Sequence, residues 1–459
     1  MNNATRNRYA FGLGTIGRDM FYTMVSMFLV VYLTEVLNLP DATMWWMTGV
    51  LTVMRIFDAF NDPFMGVLVD NTKTRWGKFK PWLVIGGVLG GLFMILMFTD
   101  FGLTGARYII FFAVAYLLWD ILYGTNDIAY WSMLPALSTD QKERERMGAF
   151  ARICANIGLF AIVVAILPVT HALGQAVGDL RRGWFIFALA VTGLMLAFQM
   201  ITVFGVKENK SYFKEEEHTT VKEMFGVIFR NDQLLWVAVS MALFMIGYCT
   251  TTSFGTYFFK YAYGDENMYS VFAAVLGVSQ LTALAVFPLF SKKFSRKQLY
   301  SGATAVVVVG YVCFFLAPMN MLLIGISGML MFLGQAFIQL LMLMFLADTI
   351  EYGQLKLGRR NESVTFSVQP FINKIGGALA SGVVLATAII SGINSAKTPA
   401  DVTAEGLLIM KFSMLILPLI CILAGYIIYK KKYKIDPDSY AEILCKLEER
   451  GDIHSETQR

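Results

Sequence analysis

Of 459 residues, 56% are hydrophobic and only 15% charged, whereas a soluble chain of this length needs roughly a quarter of its residues charged to cover its surface. The deficit runs along nearly the whole chain, in apolar runs of about 20 residues or more that can cross a hydrocarbon core of about 30 Å. An ordinary soluble domain is excluded in favour of an all-α membrane protein, and the +5 charge is no nucleic-acid signature because its basic residues gather in the loops of one face.

Taken in chain order, Arg6 and Arg8 lead straight into an apolar stretch with no small-residue cleavage site, which reads as a retained first span. Twelve spans are expected, at about 9–37, 43–70, 82–99, 107–135, 147–173, 182–205, 233–261, 267–290, 299–317, 321–348, 364–393 and 405–429. The loops after even-numbered spans carry Lys73, Arg75, Lys78, Lys80, Lys207, Lys210, Lys292, Lys293, Arg296 and Lys297. Lys142, Arg144, Arg146, Lys356, Arg359, Arg360 and Lys430–Lys432 lie on the same side. The opposite loops offer only Arg107, Arg181, Arg182, Lys260 and Lys397, so both termini are expected in the cytoplasm.

The longest polar stretch, 206–232 with Glu215–Glu217, falls after span six and reads as a solvated linker. It divides an N-terminal six-helix bundle (1–205) from a C-terminal one (233–431), followed by a cytoplasmic tail (432–459). The basic loop 75–80 after span two has a counterpart at 292–297 after span eight. Six spans, a linker and six spans is the layout of the major facilitator fold, whose halves rock around a central site.

The cysteines (Cys154, Cys249, Cys313, Cys421, Cys445) lack metal-ligand or disulfide spacing, and His171, His218 and His454 fall in expected loops or tails. No nucleophile, base and metal set converges, so neither an enzyme nor a cofactor is expected.

An ionisable group at membrane depth costs about 2.5–3.5 kcal/mol on insertion scales and faces a cavity or a partner. Span one carries Arg18 and Asp19; span two Arg55, Asp58 and Asp62; span four Asp120 and Asp127. Arg152 lies in span five and Lys374 in span eleven. Arg55, Asp58 and Asp62 share one helical stripe. Two carboxylates one turn apart in low dielectric need a cation between them or a proton on one. Either outcome is a cation site, for Na⁺ or H⁺. Asn61 can add an amide oxygen, and Pro63 frees the carbonyl of residue 59.

Asp120, Gly124, Asp127 and Trp131 form a second stripe. A carboxylate beside an indole suits a sugar, because the acid accepts hydrogen bonds from hydroxyls while the aromatic face packs on ring C–H groups. Arg152 can donate to the same hydroxyls or orient an aspartate. Lys374 is expected to point towards the span-two carboxylates. Asp348, Glu351, Arg359 and Arg360 read as gate or surface pairs, and Gly86, Gly87, Gly90 and Gly91 as close helix packing.

The run Arg55-Ile56-Phe57-Asp58-Ala59-Phe60-Asn61-Asp62-Pro63, then Gly66, Asp70 and Thr74-Arg75-Trp76-Gly77-Lys78-Phe79-Lys80-Pro81-Trp82, resembles the signature of the glycoside–pentoside–hexuronide:cation symporters, the melibiose permeases in particular. Gly17-Arg18-Asp19, Asp127-Ile128-Ala129-Tyr130-Trp131-Ser132, Lys142-Glu143-Arg144-Glu145, Asp348-Thr349-Ile350-Glu351-Tyr352-Gly353 and Gln369-Pro370-Phe371 with Asn373-Lys374 extend it through most of the chain. The resemblance implies a cation site at Asp58, Asp62 and Asn61, which would hold the metal if the ion is Na⁺. It implies a sugar site at Asp19, Asp127, Trp131 and Arg152, with Arg18 where melibiose permeases have lysine. Lys374 would lie near both, with Arg55 in the same charge network, and Arg75, Lys78 and Lys80 would form the cytoplasmic gating loop.

Two positions depart from that pattern. Gly124 stands where span four has a hydroxyl residue beside the cation, and Asp120 where a small residue is usual, so Asp120 is expected to take over part of the cation field or to add a carboxyl that favours protons. The resulting expectation is a symporter importing a small glycoside with Na⁺ or H⁺, monomeric, in a bacterial inner membrane. A carrier of a lipid-like amphiphile on the same fold and a non-transporting sugar sensor are the alternatives.

Overall fold

A computed structural model describes residues 3–37, 39–138, 140–207, 228–265, 268–393 and 398–453. The linker expected at 206–232 thus lies mostly outside the described residues. Among the described residues, twelve long helical rods correspond to the twelve expected spans. They are α1 (Asn3–Val31, prolonged by a π-helical turn Tyr32–Val36), α2 (Asp41–Asp70), α3 (Lys80–Met97), α4 (Gly105–Leu137), α5 (Gln141–Val177) and α6 (Leu180–Gly205). Then come α7 (Asp232–Tyr257, with a π-helical turn Phe258–Tyr263), α8 (Met268–Ser291), α9 (Arg296–Leu316), α10 (Met321–Leu357), α11 (Glu362–Ile390) and α12 (Ala404–Lys432). A shorter helix, α13 (Pro437–Glu449), follows.

Ten of these helices are long and apolar enough to cross a membrane. The two outside that group are α1 and α2. Arg18 with Asp19, and Arg55 with Asp58 and Asp62, lower their hydropathy at mid-length, so these charges mask the two expected spans.

The chain forms two compact units. The first holds residues 1–225 with 359–367 and the last residues from Leu447. In it α1 packs on α5 and α6, α3 on α4 and α6, and α2 on α4. Small residues permit this closeness, as expected where lipid supplies no hydrophobic drive between helices. A Cβ at Gly158 would lie 2.2 Å from the Ile16 carbonyl oxygen, and one at Gly17 2.7 Å from Met195 Cα. In α3 the expected glycine packing divides between two neighbours: Gly86 abuts α4 at the Leu122 carbonyl, while Gly87 and Gly91 abut α6 at Gln199 and Thr192. Hydroxyls add glue across helices. Thr15 Oγ1 donates to the Ala151 carbonyl at 2.8 Å, and Thr202 Oγ1 to the Ala10 carbonyl at 2.8 Å. Both bonds anchor α1 on the N-terminal side of its charged pair.

The second unit holds residues 226–358 and 368–446. Its centre is α10, packed by α7, α8 and α9, and Ser240 Oγ ties α7 to the Gly425 carbonyl of α12 at 2.9 Å. Asp348 is buried in an ion pair with Arg296 and Glu351 is fully buried, while in the first unit Arg360 is buried against Glu362. The surface half of the expectation for these residues is therefore corrected: polar groups so deep are there because each is satisfied by a partner.

Asp436 caps α13. Its Oδ1 accepts the Ser439 amide at 3.0 Å and its Oδ2 pairs with Lys297 at 3.3 Å. These bonds, the Ser439 ones first, hold its carboxyl below the usual range. A depressed folded value means stabilisation that is present above the unfolded pKa and lost as pH falls through the folded one. Amide exchange in α13 is therefore expected to accelerate on acidification through the carboxylate range, and Asp436→Asn to remove that pH dependence.

Candidate functional site

Helix α1 brings Arg18 and Asp19 to the side of the first unit where α4 and α5 present Asp127 and Arg152. Arg18 is fully buried and its Nη2 pairs with Asp127 Oδ1. Its guanidinium lies 4.3 Å from the centre of the Tyr130 ring, and its Nε and Nη1 have no hydrogen-bond acceptor among the described residues. Arg152 lies 4.5 Å over the Trp131 ring. Asp19 is within electrostatic range of Arg18, Arg152 and Asp127, which makes the four charges one cluster of two cations and two anions.

The aromatic partner is arranged differently from expectation. Trp131 is only 7% exposed and has Arg152 over it, with Phe11 and Tyr130 against its edges. Cation–π attraction holds the Arg152 guanidinium over the indole face. The residue that sequence reasoning missed is Tyr123, one turn before Asp127. It is within electrostatic range of Arg18, Asp127 and Asp19, and is stacked between Trp119 and Tyr22 at 5.5 and 5.2 Å. Its place on the same helical stripe as Asp120, Asp127 and Trp131 was the available signal.

The expected cation residues lie on α2. Val53, Phe57, Phe64 and Leu68 form its exposed apolar stripe, and Asp58 and Asp62 project away from it by helical phase. Asp62 is buried, at 1% exposure, while Asp58 and Asn61 are half-buried. The side chain of Arg55 lies outside the described residues. A Cβ at Gly124 would stand 3.7 Å from Asp62 Oδ1, with nothing else within 4 Å among the described residues. The departure at Gly124 thus leaves room beside a buried carboxylate among the described residues. Asp120, buried one turn earlier on α4, shares that helix face. Lys374 is half-buried on α11 in the second unit.

The basic loop is shaped by a tight turn, Gly77 N–H to the Thr74 carbonyl at 3.2 Å, with Gly77 at φ 111°, a conformation that favours glycine. Its three cations part company. Arg75 is exposed, Lys80 Nζ caps the end of α6 at the Val206 carbonyl (2.8 Å), and Lys78 Nζ pairs with Asp70 at 2.7 Å and Glu362 at 3.5 Å. Asp70 in turn accepts the Ser363 and Val364 amides at 3.0 and 2.9 Å, capping the N-terminus of α11. There its charge meets the positive end of the helix dipole. Asp70→Asn is expected to speed amide exchange at 363–364 by about tenfold to a hundredfold, the worth of a hydrogen bond to a charged acceptor. Unchanged exchange would show that the cap contributes nothing.

The chain matches the model of a family described as MFS/sugar transport protein over residues 10–437. It is 35% identical over 462 residues to the lactose permease of Lactobacillus delbrueckii subsp. bulgaricus, covering 98% of this chain and 74% of that one. It is also 35% identical to the raffinose carrier protein of Pediococcus pentosaceus, over 96% and 71% respectively. Among solved structures, the fucose:proton symporter of E. coli superposes with a TM-score of 0.65 at 12% identity, over 94% of this chain and 98% of that one, a likeness of fold. With twelve helical rods, buried intramembrane charge and these relatives in place, the chain belongs to the MFS/sugar transport protein family as a symporter of the glycoside–pentoside–hexuronide type on the major facilitator fold, and it is a transporter, not an enzyme.

Proposed function

We propose that the protein imports a small glycoside together with Na⁺ or H⁺ by alternating access, as a monomer in a bacterial plasma membrane with both termini in the cytoplasm. The observation that carries the sugar assignment is the Arg18–Asp127 pair. Asp127, half-buried and paired with Arg18 through one oxygen, and the half-buried Asp19 beside Arg152 present carboxylate acceptors that suit a ligand rich in hydroxyl groups. Asp19, Asp127 and Arg152 then hydrogen-bond the sugar hydroxyls, and Trp131 with Tyr123 and Tyr130 forms the aromatic support. The excess of lysine and arginine on one side of the spans supports the orientation, and lactose and raffinose carriers among the relatives support a galactoside-like oligosaccharide.

Asp58 and Asp62, with Asn61 and Asp120, hold the cation in this reading, and Lys374 and Arg55 belong to the charge network that responds to it. Gly124→Ser puts a hydroxyl oxygen beside Asp62. It is expected to lower the half-saturating Na⁺ concentration about tenfold, the equivalent of about 1.4 kcal/mol. Unchanged cation dependence in Asp120→Ala would remove Asp120 from the site. The overall test is uptake of a glycoside panel into proteoliposomes with Na⁺, Li⁺ and proton gradients imposed separately. Gradient-driven accumulation is expected with one of them, and its absence for every sugar overturns the proposal.

A further inference from the structure

The second unit holds two neutral polar clusters built from the same kinds of residue. In one, Tyr311 OH meets Thr251 Oγ1 at 2.7 Å and Gln335 Nε2 at 3.0 Å, and all three residues are buried. This network is shut away from solvent, and its Gln335 carbonyl oxygen has no donor among the described residues. In the other, Gln280 Nε2 donates to the Tyr248 hydroxyl at 3.0 Å, Gln339 reaches the same hydroxyl, and all three are only half-buried.

Exposure at these positions is not exposure to lipid. On α8 the exposed residues Val271, Val278 and Leu289 mark one face, and Gln280 lies about half a helical turn round from it at 100° per residue. On α10 every residue from Gly334 to Glu351 is buried except Gln339. An amide opening to hydrocarbon would be costly, so the exposed parts of the Gln280 and Gln339 side chains face away from lipid. No protein donor among the described residues takes the Gln280 carbonyl oxygen.

We propose that Tyr248, Gln280 and Gln339, linked through the Tyr248 hydroxyl, form a neutral hydrogen-bonding subsite for the hydroxyl groups of a pyranoside. The inference rests on the sugar-transport reading above and adds a recognition element in the second unit. The chemistry matches: each amide offers both a donor and an acceptor, as a vicinal diol does in return. A neutral subsite also discriminates by hydroxyl position without attracting charged solutes. A site built to bond a hydroxyl rejects the deoxy analogue strongly, because its own polar groups are then left unanswered.

The test compares wild type, Gln339→Leu, Gln280→Leu and, as the structural control, Gln335→Leu in proteoliposomes, using the best transported glycoside and its monodeoxy series. Gln339→Leu and Gln280→Leu are expected to raise KM at least tenfold with an unchanged melting temperature. They should also abolish the penalty for one particular missing hydroxyl. Gln335→Leu is expected to lower the melting temperature while leaving the deoxy pattern intact. An unchanged KM in the first two variants, or a deoxy pattern identical to wild type, overturns the subsite even though wild type transports sugar. A wild type that accumulates no sugar overturns the transport reading, and the subsite falls with it.

Discussion

Asp127→Ala is expected to abolish glycoside uptake and to destabilise the first unit by about 3–5 kcal/mol, because it leaves the guanidinium of Arg18 buried without its ion-pair partner. Arg18 is 1% exposed and cannot reach water without moving α1, which Gly158 and Gly17 hold close against α5 and α6. The double variant Arg18→Met with Asp127→Leu removes both charges and fills similar volume. It is expected to recover the melting temperature while uptake stays absent. This separation matters because a pair kept only for folding would be dispensable together. Uptake by the double variant at the wild-type rate would show that the pair is structural and that the sugar binds elsewhere. Thermal unfolding in detergent and uptake in proteoliposomes read the two effects independently.

Asp62→Asn is expected to eliminate accumulation against a gradient while retaining sugar exchange across the membrane. The amide keeps the shape of the buried side chain but not its charge. A unit charge at about 4 Å in an effective dielectric near 20 is worth about 4 kcal/mol, so cation affinity falls by about a thousandfold. A carboxamide also cannot carry the proton, so the outcome is the same whether the coupling ion is Na⁺ or H⁺. Calorimetric sugar binding, measured with and without the cation, is expected to lose its cation dependence in the variant because linkage is reciprocal. Accumulation by Asp62→Asn with the wild-type ion response would place the cation site away from α2.

Much of the candidate site was legible before any fold was known, for a simple energetic reason. A charge in a long apolar run is too costly to be incidental, so Arg18, Asp19, Asp58, Asp62, Asp120, Asp127, Arg152 and Lys374 announce themselves one by one. Neutral residues carry no such signal. Tyr123 is one aromatic among many, and Tyr248, Gln280 and Gln339 stand 32 and 59 residues apart in the chain. Only packing of α7, α8 and α10 brings the last three onto one hydroxyl. The role of Asp70 was equally silent, because its meaning lies in a helix N-terminus nearly 300 residues downstream, where Glu362 also sits.

By itself, then, the sequence determined the membrane class, the twelve spans and the inventory of intramembrane charge, since apolar length and the cost of burying an ion are local properties of the chain. Only the tertiary structure decided how those groups pair. It put Arg18 on Asp127, Arg152 over Trp131, Lys78 between Asp70 and Glu362, and room, among the described residues, at Gly124 beside Asp62. Pairing depends on distances between helices, and those are set where small residues let backbones touch, which no single span records.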